Sequence, residues 1–154
     1  MQPINLWIIA LSLFFTTPIF AQETFHWNNI AFTLSDDFDV TQQGRNTFEA
    51  IGDGLEIRIA AFSDDAIDAD DISDVTLALA IDLKLEEVDA AAEIDLNGLE
   101  GAYVEGYKNG DRIFLMGMID PDSDDNFFAV ITFGDDDDYA EETAIDIFAS
   151  FRQH

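Results

Sequence analysis

One acidic segment of the chain has the residue types and the spacing of a metal-binding loop. Asp120, Asp122 and Asp124 occupy alternate positions, and Asp125 follows directly. Alternating carboxylates converge readily on a hard cation, so this loop is a candidate calcium site. An EF-hand loop, however, has glycine at its sixth position and a bidentate glutamate at its twelfth, where this chain has Asp125 and Ile131. The alternative is an acidic hairpin loop, and we assign no metal ligand.

The sequence carries no recognisable catalytic motif. It has no G-x-S-x-G, no H-E-x-x-H and no glycine-rich phosphate loop. Its histidines are His26, beside Trp27 on a predicted first strand, and His154, the last residue, where disorder is usual. A histidine such as His26 is more typical of a packed or exposed side chain than of a catalytic base. A pair of facing carboxylates would hydrolyse glycosides, but the spacing places no such pair, so we assign no catalytic residue and no cofactor.

The composition limits both the partners and the chemistry. Among 154 residues, 33 Asp and Glu against 6 Lys and Arg give a net charge of −27, while 48% of the residues are hydrophobic. The hydrophobic share is enough for a core, whereas the charge repels phosphate backbones and anionic lipid and excludes nucleic acid as a partner. The absence of cysteine excludes disulfides, thiolate metal sites and cysteine nucleophiles. High external salt would relieve the self-repulsion.

The beginning of the sequence has the pattern of an export signal. Residues 6–21 are uncharged and mostly apolar, and the chain becomes polar at Gln22. This pattern predicts a signal peptide over residues 1–21 with cleavage after Ala21. The alternative, a retained anchor, is disfavoured because the apolar run is shorter than the ~20 residues of a spanning helix. We expect one domain over residues 22–154, periplasmic or secreted from a bacterium and free of the membrane after cleavage.

The first half of this domain is predicted to contain short strands followed by a helix. The strands are expected at residues 30–34, 47–51 and 55–62. Gly52, Asp53 and Gly54 join the last two as a hairpin. The helix is predicted over residues 71–84 with Asp71 as its N-cap. Its core stripe is expected to be Ile72, Val75, Leu79 and Leu83.

A second apolar seam runs along the other side of this helix. Leu77, Ile81 and Leu85 recur every four residues, roughly opposite to Ile72. A helix that is apolar on two sides is usually buried on both. The alternative is an exposed strip that contacts a partner protein or a second copy of the chain, and this seam is the interaction surface that the sequence predicts.

The second half of the domain gives stronger strand signals. Asn109 and Gly110 form the turn pair of a type I′ hairpin between strands predicted at residues 103–107 and 112–119. These strands and the next one, at residues 126–133, are apolar on both faces. The central strands must therefore be covered on both sides. A further strand is predicted near residues 92–96.

The chain ends in a predicted amphipathic helix. Asp138 and Glu141 have the spacing of a capping box, and Arg152 complements the negative end of the helix dipole. Its core stripe is Ala140, Ala144, Ile147, Phe148 and Phe151. The predicted fold is α+β: an antiparallel β-sheet of about six or seven strands flanked by helices, an α/β/α sandwich in the order β-β-β-α-β-β-β-β-α.

Three segments of the chain carry a resemblance to a known family. They are GLEIRI before the middle helix, LNGLEGAYVEGYKNGDRIF in the second half, and IFASF at the end of the last helix. In this order they resemble the PsbP and DcrB-like α/β/α sandwich superfamily, over residues 25–152. The resemblance implies the fold and a non-enzymatic accessory role in an exported domain. It transfers no site residue, because no family motif matches here.

The sequence thus favours an exported accessory or protein-interaction domain over an enzyme. A cation- or small-ligand-binding domain is the first alternative, with calcium at the loop from Asp120 to Asp125. A carboxylate-dependent hydrolase is the second alternative.

Export predicts the first residue of the mature protein. We expect the protein recovered outside the cytoplasm to begin at Gln22, because the polar shift after Ala21 is where a signal peptidase cuts. N-terminal sequencing of that fraction measures this directly. A protein that still carries residues 6–21 would contradict cleavage and support the anchor.

Overall fold

A computed structural model describes residues 21–62, 67–123 and 125–154. Residues 1–20 of the predicted signal peptide lie outside the described residues. The described strands are β1 (Gln22–Trp27), β2 (Ile30–Ser35), β3 (Asp39–Gln43), β4 (Thr47–Gly52), β5 (Leu55–Ala61), β6 (Ala92–Leu96), β7 (Leu99–Lys108), β8 (Asp111–Asp120), β9 (Asp125–Gly134) and β10 (Arg152–Gln153). The α-helices are α1 (Ile72–Asp82), which follows a 3-10 turn at Ala69–Asp71, and α2 (Asp138–Ala149). No helix in the described ranges is both long and apolar enough to cross a bilayer.

The middle layer of the fold is an antiparallel sheet of seven strands in the order β3-β4-β5-β9-β8-β7-β6. A smaller sheet, in the order β1-β2-β10, lies beside α2 over one face of it. The opposite face of the central sheet carries α1. The predicted α+β sandwich is therefore confirmed.

The predicted element order was wrong in two places. Five strands precede α1 instead of three, and the short strand β10 follows α2. Strand β3 is exposed at every position, so it has no alternation of apolar and polar residues for the sequence to reveal. Strand β1 buries only its last residue, Trp27. Backbone pairing holds β3 beside β4 and β1 beside β2.

The main core lies between the central sheet, α2 and the smaller sheet. Phe32 of β2 stacks on Phe151 with ring centroids 5.0 Å apart, and Phe151 stacks on Phe127 of β9 at 5.9 Å. The three rings thus link the smaller sheet, the end of α2 and the central sheet in one series. The predicted core stripe of the last helix is confirmed, since all five of its members are buried: Ala140, Ala144, Ile147, Phe148 and Phe151.

Helix α1 packs on the opposite face through smaller residues than the sequence predicted. Its buried residues are Ile72, Thr76 and Ala80, whereas Leu79 and Leu83 are half-buried at the side. The helix lies very close to the sheet, because any side chain at Gly117 would collide with the Thr76 hydroxyl. Small residues permit that approach. The predicted stripe is therefore displaced by about one residue around the helix from the residues that contact the sheet.

Both predicted hairpin turns are confirmed. Asp53 and Gly54 have φ angles of 51° and 77° between β4 and β5, and Asn109 and Gly110 have 55° and 89° between β7 and β8. Two consecutive positive φ angles are the signature of a type I′ turn. The prediction that β8 is covered on both faces is also confirmed, because every residue from 113 to 120 is buried.

The cap of α2 differs from the predicted capping box. The N-cap is Asp137, whose carboxylate accepts a hydrogen bond from the Ala140 amide at 3.0 Å. With Asp137 as the N-cap, Glu141 is the fourth residue after the cap instead of the third, and its carboxylate binds Arg112 of β8 at 2.7 Å. The same guanidinium binds Glu105 of β7 at 2.6 Å. Arg112 therefore ties α2 to the central sheet.

The packing of α2 predicts the effect of removing one of its aromatic rings. Phe148→Ala should reduce the free energy of unfolding by roughly 3–5 kcal/mol, because it empties a buried aromatic site. The measurement is urea unfolding followed by circular dichroism. Ile145→Ala on the same helix is the control, since Ile145 is 53% exposed. A loss below about 1 kcal/mol for Phe148→Ala would contradict the docking of α2.

Candidate functional site

The candidate calcium loop is held by hydrogen bonds within the protein. Asp120 is buried at the end of β8. One of its carboxylate oxygens accepts from the Asp122 amide at 3.0 Å and from the Gln153 side chain at 2.7 Å. Its other oxygen accepts from the Ser123 hydroxyl at 2.8 Å. Donors of the chain therefore contact both carboxylate oxygens of Asp120.

These hydrogen bonds also set the acidity of Asp120. Burial by itself raises the pKa of a carboxyl group. Here the hydrogen bonds from Gln153, from the Ser123 hydroxyl and from the amides of Asp122 and Ser123 outweigh burial, and the pKa of Asp120 lies below its ordinary value. The carboxylate is therefore stabilised in its charged form.

The other acids of the loop anchor two distant segments. Gln153 of β10 donates to Asp122 at 2.9 Å as well as to Asp120. Asn29, in the turn between β1 and β2, donates to Asp125 at 2.5 Å. Asp124 lies outside the described residues. Among the residues that are described, no three acidic or histidine side chains converge as metal ligands, and the loop serves to join the C-terminus to the central sheet.

The two histidines lie together at the same end of the fold. The rings of His26 and His154 have centroids 4.0 Å apart. The His154 amide donates to the Asn29 carbonyl at 2.9 Å, so β10 extends the smaller sheet to the last residue. His26 is exposed on β1, as one of the two readings of the sequence allowed. Sequence reasoning missed the pair because β10 is too short to show a pattern.

Only part of the seam predicted on the middle helix is exposed in the structure. Ile81 is 68% exposed, and Leu77 is half-buried beside it. Leu85 packs against the core cluster of Ala80, Val104 and Leu115. The exposed part of the seam is therefore Ile81 with the edge of Leu77, and we call it the α1 strip.

A groove that the sequence did not reveal lies beside α2. It has a volume of about 570 Å³ and lies between α2, the outer half of β2 and the hairpin turn of β4 and β5. Its lining residues are Gln22, Thr33, Leu34, Ser35, Asp53, Tyr139, Glu142, Thr143, Asp146, Ile147, Ala149 and Ser150. We call it the α2–β2 groove. Its residues come from four separate parts of the chain, so only the tertiary structure brings them together.

Helix α2 supplies one wall of the groove. Tyr139, Glu142, Thr143 and Asp146 line it on the side of the helix that does not enter the core. Their spacing of three and four residues is a polar helical face. The sequence shows this polar face. A polar helical face by itself indicates only exposure to solvent, and the sequence does not show that another element lies opposite it.

Strand β2 and the hairpin turn supply the other wall. The Ser35 hydroxyl donates to the Asp53 carboxylate at 2.6 Å. The Thr33 amide donates to the Ser150 hydroxyl at 2.9 Å, and Ser150 itself donates to the Ile147 carbonyl at 2.6 Å. These hydrogen bonds orient the side chains of Ser35, Asp53 and Ser150 on this wall.

The groove is lined by carboxylates and hydroxyl groups. Three carboxylates line it, on Asp53, Glu142 and Asp146, together with hydroxyl groups from serine, threonine and tyrosine. Glu142 and Asp146 are exposed to solvent, whereas a carboxylic acid that protonates a leaving group is usually desolvated. Ser35 is bonded to a carboxylate, with no histidine among the lining residues to act as its base.

The fold and the groove define a class of molecule, a three-layer α+β domain with a lateral groove. No protein-family description matches the chain, and no curated protein sequence matches it. Its structure is similar to the crystal structure of LpqN, a protein involved in cell envelope biogenesis of Mycobacterium tuberculosis, with a TM-score of 0.50 and 13% identity over 86% of this chain and 90% of that chain. This similarity shows the fold. Membership of the PsbP and DcrB-like superfamily is not confirmed.

The hydrogen bonds of Asp120 predict a pH-dependent effect of its removal. A lowered pKa means that the carboxylate contributes stability above its unfolded value of 3.8 and loses it as the pH falls through the folded value. Asp120→Asn should therefore cost about 1–3 kcal/mol at neutral pH, because hydrogen bonds to a charged acceptor are lost. The difference from the natural protein should shrink below about pH 4.

Urea unfolding at a series of pH values measures this difference. Asp111→Asn, at the exposed start of the same strand, is the matched control and should change stability by less than about 0.5 kcal/mol. A difference for Asp120→Asn that stays constant from neutral to acid pH would show that the carboxylate charge is not the stabilising feature.

Proposed function

We propose that this protein is an exported bacterial accessory domain of the cell envelope that works by binding a partner protein and catalyses no reaction. The observation that carries the proposal is the α2–β2 groove, which is open to solvent and lined largely by polar side chains. Glu142 and Asp146 are exposed to solvent, and no histidine lines the groove beside its serines, which favours recognition over turnover. The predicted signal peptide and the fold that the domain shares with LpqN support the envelope location.

The surface charge is consistent with this role. A net charge of −27 repels a second copy of the same chain and attracts a basic partner over several ångströms. We therefore favour a different protein over self-association. The α1 strip offers a second contact, because Ile81 is the most exposed of the large hydrophobic side chains described. It lies on the opposite face of the central sheet from the groove.

Site-specific photo-crosslinking in the native host tests the proposal. A photo-reactive amino acid is placed at Thr143 in the groove, at Ile81 in the α1 strip, and at Asn109 in the exposed turn between β7 and β8 as the control. The proposal predicts a discrete protein adduct from Thr143 or Ile81 in the extracytoplasmic fraction and none from Asn109. Equal adducts from all three sites, or no adduct from either test site, would overturn it.

A further inference from the structure

Strand β2 is paired unequally along its two edges. Strand β1 pairs with β2 over its whole length, from Gln22 opposite Ser35 to Trp27 opposite Ile30. On the other edge, β10 pairs with only two residues, Ala31 and Ile30. The outer half of that edge, at Thr33 and Ser35, borders the α2–β2 groove. A stretch of the edge of β2 is thus open toward the α2–β2 groove.

The hydrogen bonds of β2 establish which backbone groups point into the groove. In a strand, the N–H and C=O of one residue point to the same side, and alternate residues point to opposite sides. The Asn29 carbonyl accepts a hydrogen bond from the amide of His154, the residue that follows β10. The Thr33 amide donates to the Ser150 hydroxyl beside the groove. The backbone N–H and C=O groups of residues 31, 33 and 35 therefore point toward the edge of β2 that carries β10 and the groove. The Thr33 carbonyl and the Ser35 amide point into the groove.

These two groups form a template for one added strand. In a parallel pairing, a single residue of one strand bonds to two residues of the other strand that are two positions apart. Its N–H donates to the carbonyl of the first, and its C=O accepts from the amide of the second. The Thr33 amide is already capped by Ser150 at 2.9 Å, and the Ser35 carbonyl accepts from the Phe38 amide at 3.3 Å. The cap at Thr33 and the turn at Phe38 limit the template to a short segment.

The groove supplies the space and the charge for such a segment. Its volume of about 570 Å³ accommodates several residues of extended chain. Asp53 lies at the β2 wall, and Glu142 and Asp146 lie along the α2 wall. No lysine, arginine or histidine is among the described lining residues. After the predicted cleavage the α-amino group of Gln22 adds one positive charge beside three carboxylates. The walls stay net negative and complement positive side chains, and the strand edge provides the backbone contacts.

We propose that the α2–β2 groove binds an extended basic segment of a partner protein, which adds to β2 at Thr33 and Ser35. Lysine or arginine side chains of the segment then lie against Asp53, Glu142 and Asp146. This inference rests on the proposed binding function and names the chemistry of the partner. The backbone contacts give the segment its extended conformation, and the three carboxylates select its charge.

A blocked peptide of eight residues with alternating lysine and valine serves as the probe. Its binding to the purified protein is measured by titration calorimetry at ~0.15 M salt, where long-range attraction is screened. Glu142→Gln with Asp146→Asn should weaken binding by about tenfold, because two groove charges are lost. Asp74→Asn with Asp82→Asn removes the same charge from α1 and should change it by less than about twofold. A peptide with glutamate in place of lysine should not bind.

Two N-methylated versions of the peptide test the backbone contact. One carries methyl groups on the lysine amides and the other on the valine amides, so each blocks one edge of the extended peptide. Strand addition predicts that one version loses about tenfold in affinity while the other keeps it, since only one edge faces β2. The Ser35 amide should also become protected from hydrogen exchange on binding.

Three results would overturn the inference. They are no binding of the basic peptide, equal weakening by the groove pair and the α1 pair of substitutions, and equal affinity of both N-methylated peptides. Any of them combined with a specific adduct from Ile81 would leave the proposed binding function standing while this inference fails. Absence of adducts from both Thr143 and Ile81 would overturn the proposed function itself.

Discussion

The constraint on which the structure depends is that β8, an inner strand of the central sheet, is apolar on both faces. Phe114, Met116 and Met118 face the main core, whereas Leu115 and Ile119 face α1. Each face removes its side chains from water only if another layer covers it. The close packing of α1 above Gly117, and the docking of α2 with the smaller sheet on the other side, are both answers to this single requirement.

The acidic composition is managed by location. Most carboxylates lie on the surface, and the few that enter the structure have dedicated donors. Arg112 is little exposed and binds Glu105 and Glu141 together, so one cation fastens α2 to the sheet. Its guanidinium also lies 5.2 Å from the centre of the Phe114 ring, which adds a cation–π contact. Burial and the neighbouring Glu105 carboxylate raise the pKa of Tyr103 beside it, so its hydroxyl stays protonated.

The groove and the end of the fold use the same small sheet in different ways. At one end of β2, the strand β10 and the side chain of Gln153 close the edge and hold the loop of Asp120 and Asp122. At the other end, the chain turns from α2 into β10 at Ser150 and leaves the edge open. The acidic loop that resembles a metal site is held by hydrogen bonds to Gln153 and Asn29, and the α2–β2 groove lies where the edge of β2 extends beyond its pairing with β10.

The sequence determined the elements whose signals are local. Asn109 and Gly110 specified their turn, the apolar runs of β8 and β9 specified two covered faces, and the core stripe of α2 followed from helical periodicity. Tertiary structure decided everything that depends on a neighbour distant in the chain. Asp137 caps α2 instead of Asp138, and Glu141 pairs with Arg112 of the central sheet. Strand β3 exists only through pairing. The groove joins parts of the chain more than a hundred residues apart, and no local pattern encodes such an arrangement, since the free energy that creates it comes from packing the layers together.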